Sequence, residues 1–397
     1  MEEKFPKNFL WGASISSYQT EGNNINSNWW RWEEKGKTNG RSGKACNYWE
    51  DYKIYHDYLS ELGVNAFRLS LEWSRIEPEE GKFSDEAIEH YRDILGDLKK
   101  RNIKVILTLW HWTVPIWFED KYGFHRKKSV DIFTRYAEYA YRGLKDLIDI
   151  VVVLNEPMIF LGLGYLLGGH PPGSRSPFKF VKALNNLARA YIKTYQAIKA
   201  IRSDVPVGIT YWYNWFTTDI IFSRLILKIS RWFRIDWFGK KVKKHQDYFG
   251  LDYYRISKIK FGLKNSVFMG LGIENDPANV MGWTAYPEGI YIVVHEIKNN
   301  YGDLPIYIME NGKPTGEGVE DNERAEFIQN HLDYVKKAMA EGIDVRGYCH
   351  WSLIDNFEWS HGFHPHFGLI EVNFDTLAKK PKKSYYKYKE IIERKSF

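Results

Sequence analysis

Short runs of apolar and β-branched residues recur along the chain, and eight of them have the composition of buried strands. Most carry apolar residues at consecutive positions, which is typical of parallel strands covered on both faces. Their first residues lie about 40 to 57 positions apart. The predicted strands are Phe9–Ser14, Val64–Leu71, Lys104–Trp110, Ile150–Glu156, Pro206–Trp212, Phe249–Tyr254, Pro305–Glu310 and Val345–Leu353.

The segments between these runs carry apolar residues at the helical period. After the first run, for example, Tyr52, Tyr55, Leu59 and Leu62 recur at intervals of three or four. Similar stripes predict the helices Glu50–Leu62, Ala87–Arg101, Val181–Ile201 and Arg324–Ala340. Eightfold strand–helix alternation predicts an α/β fold, the closed (β/α)₈ barrel also called a TIM barrel. Because no linker or low-complexity tract interrupts it, we expect one catalytic domain over residues 1–397.

The overall composition argues against several classes of protein. A formal charge of +6 over 397 residues is modest, and we expect no nucleic-acid partner. Cys46 and Cys349 have no metal-binding spacing and indicate no disulfide framework, so a reducing compartment is expected. The first residues lack the apolar region of a secretory signal, and no apolar stretch is long enough to span a membrane. These features predict a cytoplasmic location; they say nothing about the oligomeric state.

The positive charge is concentrated in one segment, Asp219–Lys244. This segment contains eight Lys or Arg and two Asp, a local net charge of +6 that equals the excess of the whole chain. Apolar residues, including Leu225, Ile229 and Trp232, alternate with the cations at helical spacing. Two interpretations remain open. The segment is either a basic amphipathic helix that contacts a membrane surface, or a helix packed on the barrel with a solvated basic face.

Two of the predicted strands end in a glutamate followed by residues that stop a strand. Glu156 lies between Asn155 and Pro157, and Glu310 is followed by Asn311 and a glycine. A lone strand-end glutamate is often neutralised by a nearby arginine, but two of them at the same end of a barrel suggest a reactive pair. Paired carboxylates are the groups that acid–base and nucleophilic chemistry on a sugar requires.

Further polar and aromatic residues follow other predicted strands. In a parallel barrel these positions converge on the face where active sites lie. Polar groups beside some of the 16 tryptophans suit the recognition of sugar hydroxyls on aromatic platforms. The candidates are Gln19, Arg68, His111, Trp112, Asp252, Tyr254, Trp351, Glu358 and Trp359.

The motifs that contain these residues resemble glycoside hydrolase family 1, the β-glucosidase and β-galactosidase family. The resemblance runs from about Phe5 to Ile392, and all six motifs occur in the family's order. They are Phe9–Ser14 with Tyr18–Gly22, Phe67–Ile76, His111-Trp112, Leu154–Pro157, Glu310–Gly312 and Trp351–Trp359.

The resemblance implies a retaining mechanism on small β-glycosides with a terminal, non-reducing β-D-glucosyl or galactosyl residue. Glu310 would be the nucleophile and Glu156 the general acid and then the base. Arg68 and Tyr254 would hold Glu310 ionised, and Asn155 would bind the 2-hydroxyl. The other hydroxyl ligands implied are Gln19, His111, Glu358 and Trp359, with Trp112 beside them and Trp351 beneath the sugar. Such chemistry needs no cofactor and no metal.

Three alternatives were weighed against this interpretation. A 6-phospho-β-glycosidase would carry a small residue at the position of Glu358 and a nearby lysine, and this chain has neither. A carbohydrate-binding relative without turnover has no reason to keep both Glu156 and Glu310. A metal site at His361, His364 and His366 lacks an acidic or Cys partner. Individually, Arg68, His111, Tyr254, Trp351 and Trp359 could also be structural residues of the barrel interior.

Asp252 departs from the family pattern, in which asparagine is usual. Two consequences are possible. The extra carboxylate could raise the pKa of the nucleophile, or it could turn away into an ion pair with Arg255.

Overall fold

The computed structural model describes residues 4–218, 223–259 and 280–395. Its centre is a closed barrel of eight parallel strands in the order β1-β2-β3-β4-β5-β7-β9-β10, with β10 pairing back to β1. These strands are β1 Leu10–Ser14, β2 Ala66–Ser70, β3 Lys104–Thr108, β4 Ile150–Val152, β5 Val207–Trp212, β7 Tyr248–Asp252, β9 Ile306–Asn311 and β10 Val345–Trp351. The predicted barrel is therefore confirmed.

Each of the eight predicted strands overlaps one barrel strand, and the largest error is at the end of β4. The strand was predicted to reach Glu156 but ends at Val152. The backbone beyond it still bonds to its neighbours, as Val153 N donates to Gly208 O at 2.9 Å. Glu156 then adopts a left-handed φ of 41°, and Pro157 begins a helix. Proline suits the first helical position because its missing N–H has no partner there.

Helices cover the outside of the barrel. They are α1 Ser17–Thr20, α2 Asn28–Glu34, α3 Tyr48–Leu62, α4 Trp73–Ile76, α5 Asp85–Lys100, α6 Ile116–Lys121, α7 Ser129–Leu144, α8 Pro157–Leu161, α9 Pro177–Ile201, α10 Ser223–Arg231, α11 Trp237–Val242, α12 Pro287–Tyr301, α13 Asn322–Ala340 and α14 Lys383–Lys395. The four predicted helices correspond to α3, α5, α9 and α13.

The bounds of α5 illustrate why these segments become helical. The Ser84 hydroxyl accepts from Ala87 N and caps the first turn. Asp85 and Glu86 follow in the first turn, and lysines occupy the last turn, so both ends complement the helix dipole.

The barrel interior is filled by side chains from its own strands. A buried apolar cluster, separate from the larger core between strands and helices, closes the interior beneath the carboxyl ends. The polar residues at those ends therefore rest on a packed floor. The cluster comprises Leu10, Ala66, Ile106, Ile150, Val152, Tyr248, Tyr307, Met309 and Cys349.

Two short strand pairs lie outside the barrel. Strands β6 Trp215–Thr218 and β8 Ile256–Ile259 pair parallel to each other, directly after β5 and β7. Strands β11 Ile370–Val372 and β12 Lys379–Pro381 form an antiparallel pair before α14. The first pair extends the wall of the barrel beyond its carboxyl end.

The basic segment predicted as a helix is helical from Ser223 through α11, with a wider turn at Trp232–Asp236. Residues 219–222 lie outside the described part. Among the described helices, none combines the length and apolarity that a membrane crossing requires.

Candidate active site

A cleft of about 280 Å³ opens at the carboxyl ends of the barrel strands. Of the predicted site residues, Gln19 and Arg68 lie behind its surface, and each bonds to a residue that lines it. The others line the cleft directly: His111, Trp112, Asn155, Glu156, Tyr254, Glu310, Trp351, Glu358 and Trp359. The structure thus brings together all the residues that the sequence motifs selected.

Glu310, the next-to-last residue of β9, is held by two donors. Arg68 Nη1 donates to its Oε1 at 2.5 Å, and the Tyr254 hydroxyl donates to its Oε2 at 2.5 Å. Burial raises the pKa of Glu310, while the Arg68 charge and both hydrogen bonds oppose that rise. Glu310 is therefore the carboxyl of this site that is best supported in its ionised form.

The turn after Glu310 needs a glycine. A Cβ on Gly312 would lie 1.9 Å from the carbonyl oxygen of Trp351. Only glycine lets the end of β9 approach β10 this closely. The Glu310-Asn311-Gly312 motif therefore sets the distance between Glu310 and Trp351.

Glu156 has a different environment from Glu310. Its backbone N–H donates to Thr210 O at 3.1 Å, but no described cation pairs with its carboxyl. Burial and then the negative charge of Glu310 raise the pKa of Glu156 well above its usual range. Glu156 thus holds a proton when Glu310 is ionised, which is the division of roles that glycoside chemistry requires.

Asp252 adds a third carboxyl to this pair. One carboxylate oxygen each from Glu156, Asp252 and Glu310 lies within 4.8 Å of the others. Asp252 is fully buried. Arg68 Nη1 is 3.9 Å from its Oδ1. Burial and the Glu310 charge raise the pKa of Asp252 well above its usual range, so it too keeps its proton.

The structure corrects one expectation for Asp252. It forms no ion pair with Arg255, whose guanidinium packs on Trp212 and Trp283 instead. The reason is that Asp252 ends β7 inside the ring of strands, where its carboxyl lies close to those of Glu156 and Glu310. An effect of Asp252 on the pKa of Glu310 stays a prediction.

Asn155 lies beside these carboxyls and bonds to three of the residues around them. Its Oδ1 accepts from Arg68 and from the Thr210 hydroxyl, the latter at 2.8 Å. Its Nδ2 lies 3.1 Å from His111 Nε2. Burial and the Arg68 charge lower the pKa of His111 well below its usual range, so the ring is neutral. Since Nε2 accepts from Asn155, the proton is on Nδ1, which is buried and has no hydrogen-bond partner in the described structure.

Gln19 and Glu358 form a second polar wall. Gln19 Nε2 donates to Glu358 Oε2 at 3.1 Å and to Asn356 Oδ1 at 2.9 Å, and Gln19 Oε1 accepts from the Ser16 hydroxyl. Burial and the Glu310 charge raise the pKa of Glu358 to about 8. At neutral pH Glu358 is therefore mostly protonated and offers both a donor and an acceptor to a hydroxyl.

The same wall does not favour a phosphorylated sugar. A neutral Glu358 repels phosphate only weakly. However, no described Lys or Arg forms an ion pair with Glu358, so a phosphate there would lack a counter-ion.

Aromatic rings frame the cleft between these polar walls. His111 stacks near Trp351 and Trp359, with ring centroids 6.0 Å and 5.9 Å apart. Trp112 packs on Trp359 at 4.9 Å. Trp112, Glu156 and Trp359 all have left-handed φ angles, which are uncommon for such residues and cluster at functional sites.

Several residues in the cleft wall, and Thr210 behind it, were not identified from the sequence. Thr210 and Trp212 belong to the fifth predicted strand, and the strand-end rule applied to that strand would have found both. Arg255, Met281 and Trp283 belong to loops without a periodic pattern, and nothing in the sequence marks them. These residues form the part of the cleft next to Glu156 and Tyr254.

One cluster among the described residues has the ligand types and spacing of a metal site, and it is the carboxyl triad Glu156, Asp252 and Glu310. Arg68 already supplies positive charge there. The three candidate histidines do not converge: His366 bonds to Asp355, and His361 lines the cleft.

Comparison with known proteins agrees with this geometry. The model of glycosyl hydrolase family 1 matches residues 1–223 and 233–397. The chain is 32% identical to a β-galactosidase of Sulfolobus acidocaldarius, over 98% of this chain and 94% of that protein. It is 30% identical to β-glucosidase A of Acetivibrio thermocellus, over 99% of each.

Solved structures show the same relationship. A β-glycosidase from Pyrococcus horikoshii superposes with a TM-score of 0.90 at 35% identity, covering 100% of this chain and 99% of that one. A β-glucosidase from Thermotoga maritima in complex with deoxynojirimycin superposes with a TM-score of 0.91 at 27% identity, covering 100% of both chains. With the family match across the chain and the barrel of these relatives, the protein is a glycoside hydrolase that belongs to glycosyl hydrolase family 1.

Proposed function

We propose that the protein hydrolyses terminal, non-reducing β-D-glucosyl or β-D-galactosyl residues with retention of configuration. Glu310 attacks the anomeric carbon, and the bond to the leaving oxygen breaks as Glu156 gives that oxygen its proton. In the second step Glu156 takes a proton from water, and the water oxygen displaces Glu310. Arg68 and Tyr254 keep Glu310 ionised at the start.

The observation that carries this proposal is the spacing of the two carboxyls. Oxygens of Glu156 and Glu310 lie within 4.8 Å of each other. Direct attack by one carboxylate requires separations of about 5 Å, whereas enzymes that place a water between the two groups need roughly 6.5–9.5 Å. The close approach of the Glu156 and Glu310 oxygens supports direct attack over the second arrangement.

The surrounding groups fit the remaining roles. Asn155, bonded to Arg68, is positioned beside both carboxyls and suits the 2-hydroxyl. His111 and the Gln19–Glu358 pair offer polar groups for the other hydroxyls, with Trp351, Trp359 and Trp112 as apolar surfaces. A purely carbohydrate-binding protein would need this wall but not two adjacent buried carboxyls, of which only Glu310 has donors that favour its ionised form.

The stereochemical course tests the proposal. During hydrolysis of 4-nitrophenyl β-glucoside in an NMR tube, β-glucose should appear first, and α-glucose only later through mutarotation. The same substrate and its galactoside measure which sugar is preferred. Initial release of α-glucose would contradict the double displacement, and absence of nitrophenol release would contradict the activity itself.

We also propose that the basic segment contacts anionic lipid. Leu225, Ile229 and Trp232 lie on one face of α10 and its continuation and are 61%, 45% and 44% exposed. The apolar face therefore points outward. If the helix packed on the barrel by this face, these three side chains would be buried. Arg224 and Lys228 are exposed beside it. The start of α9, which contacts this segment, contributes Phe178, 70% exposed.

Such a surface combines apolar anchors with cations, as interfacial helices do. Binding to vesicles that contain phosphatidylglycerol should therefore be measurable by co-sedimentation and should weaken strongly when Arg224 and Lys228 are replaced by Glu and Trp232 by Ser. Vesicles of phosphatidylcholine alone serve as the control. Equal binding of the wild-type and triple-variant proteins would contradict the proposal.

A further inference from the structure

Two buried arginines lie beside the cleft without an acidic partner among the described residues. Arg234 is 6% exposed and Arg255 is 9% exposed. No nitrogen of the Arg234 guanidinium has a hydrogen-bond partner in the described structure, and the same holds for Arg255 Nε. Neither forms an ion pair among the described residues. Burial and the Arg255 charge lower the pKa of Arg234 to about 9, and burial lowers that of Arg255 to about 10.

The two guanidinium groups share one aromatic neighbour. Arg234 Cζ lies 5.9 Å and Arg255 Cζ lies 5.5 Å from the ring of Trp212. Arg234 also lies 4.4 Å from Phe216, and Arg255 lies 4.9 Å from Trp283. Contacts with aromatic faces stabilise a cation only partly, and a buried charge without an opposite charge is costly. The site thus has an excess of positive charge that an anion would offset.

The position of this charge relative to Glu156 indicates which part of a substrate would meet it. Arg255 lines the cleft together with Trp212, Met281 and Trp283, next to Glu156. The sugar-binding groups proposed above, such as Gln19 and Glu358, belong to another wall. Because Glu156 protonates the leaving oxygen, the wall that contains Arg255 faces the leaving group.

Arg234 is placed behind this wall rather than in it. It borders a cavity of about 20 Å³ shared with Glu156 and Trp212, which has room for about one water. A ligand would therefore contact Arg255 directly, while Arg234 adds a second positive charge behind Trp212.

We propose that Arg255, supported by Arg234, binds an oxyanion on the aglycone, so that the enzyme prefers β-glycosides whose leaving group carries a carboxylate, sulfate or phosphate. The proposal rests on the β-glycosidase function proposed above. The planar guanidinium is suited to such groups because it donates two parallel hydrogen bonds to one oxyanion. Trp212 and Trp283 would hold the apolar part of the aglycone on either side.

The test compares charged and neutral aryl β-glucosides of the same size. Carboxyphenyl β-glucosides, substituted at the meta or para position, are paired with their carbamoylphenyl counterparts, and kcat/KM is measured for each. A sulfated and a phosphorylated aryl glucoside distinguish planar from tetrahedral anions. In Arg255→Gln, the ratio of kcat/KM for the charged over the neutral substrate should fall about tenfold or more, mainly through KM.

Two further variants complete the experiment. Arg255→Lys keeps the charge but loses the paired donors, so it should lose part of the preference. Arg189 is exposed on α9 and has no ion pair among the described residues, so Arg189→Gln removes one positive charge away from the cleft and should leave the ratio unchanged.

An unchanged ratio in Arg255→Gln, with normal hydrolysis of 4-nitrophenyl β-glucoside, would overturn the anion site while leaving the β-glycosidase function intact. If the wild-type protein did not hydrolyse 4-nitrophenyl β-glucoside, the β-glycosidase function itself would be overturned.

Discussion

Glu310→Gln is expected to lower kcat by roughly 10⁴-fold or more on every β-glycoside, because an amide cannot form the covalent bond to the anomeric carbon. The substitution is nearly isosteric and keeps one oxygen that can accept from Arg68, while its amide nitrogen can donate to the Tyr254 hydroxyl. It also removes the negative charge that raises the pKa of Glu156. The measurement is steady-state hydrolysis of 4-nitrophenyl β-glucoside, with extended reaction times for the variant.

The control for Glu310→Gln is another glutamate-to-glutamine change that leaves the site untouched. Glu326 is exposed on α13 and has no partner among the described residues, so Glu326→Gln should retain full activity. Thermal unfolding followed by circular dichroism shows whether each variant is folded. A folded Glu310→Gln protein with substantial activity would contradict the role assigned to this residue.

Glu156→Ala is expected to separate substrates by their leaving groups. Without the acid, alkyl β-glucosides should lose about 10²- to 10⁴-fold in kcat/KM. Nitrophenolate needs little protonation to leave, so the first step on 4-nitrophenyl β-glucoside should be much less affected. The second step then becomes slow, because no base takes the proton from water, and the glycosyl-enzyme accumulates.

Azide provides the readout for Glu156→Ala. It needs no base, fits the space left by the side chain, and displaces Glu310 from the anomeric carbon. We expect added azide to restore turnover of 4-nitrophenyl β-glucoside and to yield β-glucosyl azide. Glu156→Gln lacks the acid but leaves no space, so azide should help it less. If Glu156→Ala hydrolysed alkyl and nitrophenyl glucosides with equal losses and ignored azide, Glu156 would not be the acid–base group.

The sequence was sufficient for the barrel and for the residues around Glu156 and Glu310. The strands are short apolar runs whose ends carry distinctive motifs, so both their existence and the face on which their polar ends gather follow from local patterns. Boundaries were less accurate. The end of β4 was placed at Glu156 instead of Val152, because a left-handed residue followed by a helix is invisible to an apolar pattern.

Pairwise contacts between distant segments could not be predicted. Asp252 and Arg255 are three positions apart, so an ion pair between them was plausible from sequence alone. The strand direction instead turns Asp252 inward to Glu156 and leaves Arg255 on aromatic rings. The outward orientation of Leu225, Ile229 and Trp232 also depends on how the segment docks, which helical spacing does not determine.

The third carboxyl gives the cleft a charge balance that lasts through the proposed reaction. Before the first step the positive Arg68 is matched by ionised Glu310, while Glu156 and Asp252 are neutral. After the first step Glu310 is an uncharged ester and the negative charge has moved to Glu156, so the net charge of these four side chains is unchanged. Glu156 and Asp252 then hold one proton between them, and their close carboxyl oxygens allow the protonated group to donate to the anion. The covalent intermediate is thereby formed without leaving a bare charge inside the barrel.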